Sequence, residues 1–248
     1  MFVATPSPAI SAGCAFEPQG EGRVAAIIDA RSFRLDDGRE VRLAGIEPIA
    51  AESGPAEQAS DTSALSAILK GHDVTLRGDD DTPDRYGRQP AFVFLDGSQN
   101  SVQEMLLGEG EALAAGTITD KDCATSLNAA EAAARSAKKG TWADPAVIKN
   151  AESPGDILAG IGRFTLVEGK VLSVRQSGAT TYLNFGRIWT QGFAVTISRR
   201  MIPVFEAAGI GVKSLENRKV RVRGWVEARQ GPRIEMLRVG QLELLGGN

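Results

Sequence analysis

The stretch "IIDARSFRLDDGREVRLAGIEP", residues 27–48, sets four arginines (Arg31, Arg34, Arg39 and Arg42) among five carboxylates (Asp29, Asp36, Asp37, Glu40 and Glu47). Opposite charges crowded this closely are a catalytic constellation, one that has lost a member, or the wet face of a hairpin. A second group is the loop "DDDTPDRYGR", where Arg85, Tyr86 and Arg88 stand beside Asp79, Asp80, Asp81 and Asp84. Arg88 there either meets a ligand or is held by a neighbouring aspartate, and Arg42 has the same choice with Glu47. A third group is "KVRVRGWVEAR", in which strand alternation sets Lys219, Arg221 and Arg223 on one face and Val220 and Val222 on the other.

That basic row, with Tyr182, Phe185 and Trp189 on the preceding strands, is the equipment of a single-strand binder: charges along the backbone, rings under the bases. The plainer reading is an amphipathic strand whose polar face is basic, and a third is contact with a protein or envelope surface. The single His72 has no motif around it, and the "DDD" run at 79–81 reads as a solvated turn.

The elements that must position these groups are mostly strands. "GRVAAII", "SFRLDD" and "REVRLAGI", with "DDG" as a hairpin turn, open the chain. A helix follows near 55–70, then the strands "HDVTLRG" and "QPAFVFLDG". Two helices come next, "SVQEMLLGEG" and a second, alanine-rich one, closed by Gly140 as its C-terminal cap. From Arg163 the order returns: three strands, helical segments near 200–209 and 213–218, then "KVRVRGWVEAR", "PRIEML" and "GQLELL". The fold class expected is mainly β with α (α+β): two OB-like five-stranded β-barrels, the first with added C-terminal helices. The divisions expected are an N-terminal arm at 1–19, a first domain at 20–145, a linker with a short helix at 146–162 and a second domain at 163–248.

Composition agrees with this division. The 248 residues, 42% hydrophobic and 24% charged, suit two folded domains of about 100 residues each. Net charge is −3, yet residues 1–154 hold 14 Lys and Arg against 24 Asp and Glu, while residues 155–248 hold 14 against 7. The basic second half is therefore the expected partner of single-stranded nucleic acid or another polyanion. No apolar run approaches the ~18 residues of a membrane span. Cys14 and Cys123 form no CxxC pair; they are either unrelated thiols or one disulfide pinning the arm, and a disulfide implies an oxidising compartment. The uncharged start, "MFVATPSPAISAGCAF", lacks a basic n-region and reads as an arm, with export to the periplasm as the suggested location.

"IIDARSFRL", "VRLAGIEP", "DRYGRQPAFVF" and "AEAAARSAKKGTW" occur in the order and at roughly the spacing of the thermonuclease, or staphylococcal-nuclease-like, family, which residues 20–143 resemble. The resemblance implies a phosphodiesterase in which calcium and a glutamate base activate water while two arginines hold the phosphate. Calcium is a hard cation that wants several oxygen ligands. It supplies nucleophile and charge neutralisation together with the base, and the guanidinium fork matches phosphate.

Carried over by position, the two arginines fall on Arg42 and Arg88, and the loop residues that touch a nucleotide phosphate on Arg85 and Tyr86. Glu47 takes the place of a metal-ligand aspartate. The rest departs from the family. "DARS" keeps Asp29 but puts Arg31 where the second metal-binding aspartate belongs, and the glutamate base falls on Ala50, with Glu52 two residues on as a substitute. Gly116 and Ile118 stand near the place of the family's base-stacking aromatics.

The expectation is a thermonuclease-like protein with a degenerate calcium site and no metal ligands or cofactor, weakly active or inactive, that retains phosphate or nucleic-acid binding. Its site residues are Arg42, Arg88 and Glu47 in the pocket, Arg85 and Tyr86 in the loop, and Lys219, Arg221 and Arg223 in the second barrel. The alternatives are an active nuclease using Arg42, Arg88 and a repositioned glutamate, and an exported scaffold in which both barrels serve protein contacts.

Overall fold

A computed structural model describes residues 13–14, 16–49, 62–188 and 191–246. In the first barrel, β1 (Pro18–Asp29), β2 (Ser32–Leu35), β3 (Glu40–Leu43), β5 (Asp73–Arg77) and β6 (Gln89–Leu95) close in the order β1-β2-β3-β6-β5. All neighbours are antiparallel except β3 and β6. Alternation builds the interior: Phe33, Leu35, Val41, Leu43, Val74, Leu76, Ala91 and Val93 point inward and are buried, leaving the charged residues between them outside. Register shifts along β1 let one long strand bend from β5 to β2.

Helices cover the barrel. α1 (Ser63–Leu69) buries Leu65 and Leu69, one helical turn apart. α2 (Val102–Glu109) starts at a capping box between Ser101 and Glu104 and ends at Gly110 in the left-handed conformation. α3 (Lys121–Ser136) is capped by Asp120 and buries Cys123, Leu127, Glu131 and Ala134 on one stripe. It ends four residues before Gly140, which instead begins a 3-10 turn where a Cβ would come within 2.5 Å of the Glu109 carbonyl. Close approach explains this glycine, not a helix cap. A small second sheet pairs β4 (Ile46–Pro48) with β7 (Ala112–Ala114) and sets Glu47 opposite Leu113.

The arm is tied down where it is described. Cys14 forms a disulfide with Cys123 at the start of α3, and Phe16 stacks on Phe92 at 5.0 Å. The remaining residues of the expected arm before β1, 1–12 and 15, lie outside the described residues.

The second sheet runs β10-β11-β12-β14-β13-β9-β8, using β8 (Ile148–Asn150), β9 (Phe164–Lys170), β10 (Ser173–Ser177), β11 (Thr180–Asn184), β12 (Ala194–Ser198), β13 (Lys219–Ala228) and β14 (Pro232–Met236). β9 and β10 are two arms of one stretch bent at Val171 and Leu172, so the pairings return to their starting strand. This is the same 1-2-3-5-4 order as the first barrel, again with strands three and five parallel. β15 (Leu242–Leu245) adds to β13 beside β14, and α5 (Ile202–Ala207) buries Phe205 beneath the barrel.

The stretch expected as a linker is more than a tether. β8 pairs parallel with β9, and α4 (Pro154–Leu158) sinks Ile157 fully into the second core. Each barrel has its own core, and a third apolar cluster of Leu113, Ala134, Trp142, Phe164 and Leu166 joins them.

Candidate functional site

The turn after β1, β3, β4 and the 84–88 loop bring Arg31, Arg42, Glu47, Asp84 and Arg88 together. Arg31 follows β1, and its own backbone carbonyl accepts from Leu43 N at 2.8 Å. Its amide donates to Asp29 Oδ1 at 2.9 Å, so the aspartate shared with the family closes its own turn. The Arg31 guanidinium lies against Glu47 in a direct, largely buried ion pair. Arg42, on β3 opposite Ser32, reaches the other Glu47 oxygen at 3.6 Å and Asp84 Oδ2 at 3.9 Å. Both are beyond hydrogen-bond distance.

Asp84 organises the loop. Its Oδ1 accepts from Tyr86 N at 2.8 Å and Arg88 N at 3.1 Å. Its Oδ2 accepts from Arg88 Nη2 at 2.8 Å and Nε at 3.1 Å, a fork-shaped charge-assisted pair. Tyr86 is 64% exposed, with the guanidinium groups of Arg85 and Arg88 over its ring at 4.8 and 5.0 Å.

The electrostatics follow the geometry. Burial pushes the Glu47 carboxyl up, with Arg31 and Arg42 pulling against it. Burial also lowers Arg42, and the like charge of Arg31 adds to that. Burial would raise Asp84, yet the hydrogen bonds from the Arg88 side chain and from the Arg88 and Tyr86 amides outweigh it and hold the carboxyl at about 2. Arg88 is bound closely to a carboxylate, whereas Arg42, 28% exposed, has only distant ones.

Among the described residues, no group of three or more His, Cys, Asp or Glu is placed to hold a metal ion. Ala50 and Glu52, the positions of the lost base and its substitute, lie outside the described residues, as does Trp189. Gly116 packs backbone to backbone on the second barrel: a Cβ there would come within 2.4 Å of the Gly240 carbonyl. Ile118 fills the space above Gly45 beside Leu127.

In the second barrel the expected basic row is corrected by burial. Strand alternation puts Arg221 and Arg223 on one face, but that face is covered. Arg221 donates to Glu168 Oε1 at 2.6 and 2.8 Å and to Glu243 Oε2 at 2.7 Å. Arg223 crosses to the first barrel and holds Glu131 at 2.9 and 3.1 Å and the Ala114 carbonyl at 2.7 Å. Lys219 alone remains exposed, 3.8 Å from Glu168. Phe185 is buried in the core, and Tyr182 is half-buried. Glu131 was not singled out in the sequence, although a glutamate in the buried stripe of α3 is the signal that could have revealed it.

The closed five-stranded barrel thus carries Arg42 from β3 and Arg88 from the "DRYGR" loop, both beside Asp84. Residues 40–144 match the family model described as staphylococcal nuclease homologue, consistent with a thermonuclease-like N-terminal domain. No curated protein matches the chain. No helix among the described residues is long and apolar enough to cross a membrane.

Proposed function

We propose that the thermonuclease-like domain is a phosphodiesterase fold turned to anion binding, with calcium-dependent hydrolysis weak or lost. The observation that carries this reading is the Arg31 guanidinium seated on Glu47. Calcium needs six to eight oxygens; here one carboxylate faces two arginines and Asp29 is used by its own turn. These residues do not suit a divalent cation, because a fixed positive charge already holds the carboxylate that would ligate it.

Arg42 is the natural anion contact. It is partly exposed and lacks a close carboxylate, and it shares Asp84 with Arg88, whose guanidinium lies over the Tyr86 ring. A phosphate bridging Arg42 and Arg88 gains charge-assisted hydrogen bonds of about 1.5–3 kcal/mol each. Nucleic-acid phosphate is the class of ligand proposed. The Cys14–Cys123 disulfide supports an oxidising, extracytoplasmic location.

Incubation with single-stranded DNA in calcium and in chelator tests the reading. The expected result is no calcium-dependent cleavage, together with pyrophosphate binding that weakens at least tenfold in Arg42→Ala. Calcium-dependent cleavage abolished by Arg88→Ala would overturn it.

A further inference from the structure

The cations that the second barrel keeps free lie on a different face from the buried Arg221 and Arg223. Register aligns Ser173, Asn184, Ala194 and Arg233 in one row across β10, β11, β12 and β14, and Arg175, Tyr182 and Thr196 in the next. The residues between them, Leu183, Val195 and Ile234, point into the core. The rows therefore face outward, where they line a cleft of about 450 Å³ whose wall includes Ser173, Arg175, Tyr182, Asn184, Arg187 and Arg233.

Among the described residues, three arginines and no carboxylate line this cleft. Glu235 shares the outward face of β14 but does not line the cleft. Among the described residues, none of the three arginines is paired with a carboxylate. Arg175 and Arg187 are exposed. Arg233 lies over the Tyr182 ring at 5.3 Å, donates to the Arg229 carbonyl at 3.1 Å and leaves its buried Nε without a partner. The stretch 155–248, with 14 basic residues against 7 acidic ones, thus satisfies Arg221 and Arg223 internally and collects three unneutralised guanidinium groups in one cleft with Tyr182.

We infer that this cleft binds single-stranded nucleic acid, with Arg175, Arg187 and Arg233 on successive phosphates and Tyr182 under a base. Cations spaced along a groove follow the backbone, and a ring between them accepts any base by stacking. The amide of Asn184, which donates to Ser173 Oγ at 3.2 Å, lies within reach of a base edge or sugar. This inference does not depend on the Arg42 site, which belongs to the other barrel.

The test is fluorescence anisotropy of a labelled oligothymidylate with the full-length protein, in an Arg42→Ala, Arg88→Ala background that removes the first-barrel site. Replacing Arg175, Arg187 and Arg233 by Ala should weaken binding more than tenfold and reduce the slope of log K against log salt by about 2, near 0.7 per phosphate contact. Tyr182→Ala should weaken oligothymidylate binding roughly tenfold and leave inorganic polyphosphate binding unchanged. Lys219→Ala should change neither. Wild-type affinity in the triple arginine variant would overturn the site. Equal loss of polyphosphate and oligothymidylate in Tyr182→Ala, or no loss of either, would overturn its assignment to nucleic acid. Because the three arginines make no ion pair, circular dichroism should report an unchanged fold.

Discussion

Arg31 and Glu47 are joined side chain to side chain in a nearly dry pocket, 16 residues apart in the chain and brought together by the turn after β1 and the small β4–β7 sheet. The pair places a cation of the protein's own beside the carboxylate expected to ligate a metal. Everything proposed for the first barrel depends on it.

The pair predicts an asymmetric response to mutation. Glu47→Gln leaves Arg31 buried without its counter-charge and should cost about 3–5 kcal/mol. Arg31→Met with Glu47→Leu should cost far less, because both charges leave together. Urea unfolding of the three proteins measures this.

Between the barrels, Arg223 and Glu131 form a second buried pair, with side chains 4% and 2% exposed. Arg223→Ala should destabilise by about 3–5 kcal/mol, and it should also uncouple the barrels, visible as two unfolding transitions in calorimetry. A single transition with wild-type midpoint would show that the Gly116–Gly240 contact and the apolar cluster around Trp142 hold the interface alone.

Acid should loosen the 84–88 loop within a defined window. Asp84 is lowered from 3.8 to about 2 in the folded protein, so its contribution is fully present above about 4 and lost as pH falls toward 2. Asp84→Asn should flatten stability over that interval and leave it unaltered in shape near neutrality. Denaturant midpoints measured from pH 2 to pH 6 in both proteins make the comparison.

The disulfide closes a loop spanning 109 residues and should contribute about 2–4 kcal/mol. Thermal unfolding with and without reductant should show the difference, and Cys14→Ser with Cys123→Ser should match the reduced protein.

Much of the fold was legible in the sequence because its signals are local. "DDG" marks the hairpin, alternation marks the strands, and "DRYGR" and "AKKGTW" mark the family. Alternation also placed Arg221 and Arg223 on one face correctly. It could not show what covers that face, since Glu168, Glu243 and Glu131 arrive from β9, β15 and α3, the last of them 92 residues from Arg223. The two-stranded sheet of β4 and β7 was missed for the same reason, each strand being only three residues long. Gly140 was mistaken for a helix cap because a backbone from α2 that packs against it leaves no mark in the local sequence. For the first site, Asp29, Arg31, Arg42 and Glu47 were identifiable by position, whereas the closing of the loop by Asp84 depends on hydrogen bonds that only the folded turn reveals.

The most direct test of the central claim is a calorimetric calcium titration of the wild-type protein and of Arg31→Asp. The account predicts no saturable calcium binding by the wild type and a measurable gain when the cation at residue 31 becomes a carboxylate. Saturable binding by the wild type that Arg31→Asp fails to strengthen would contradict it.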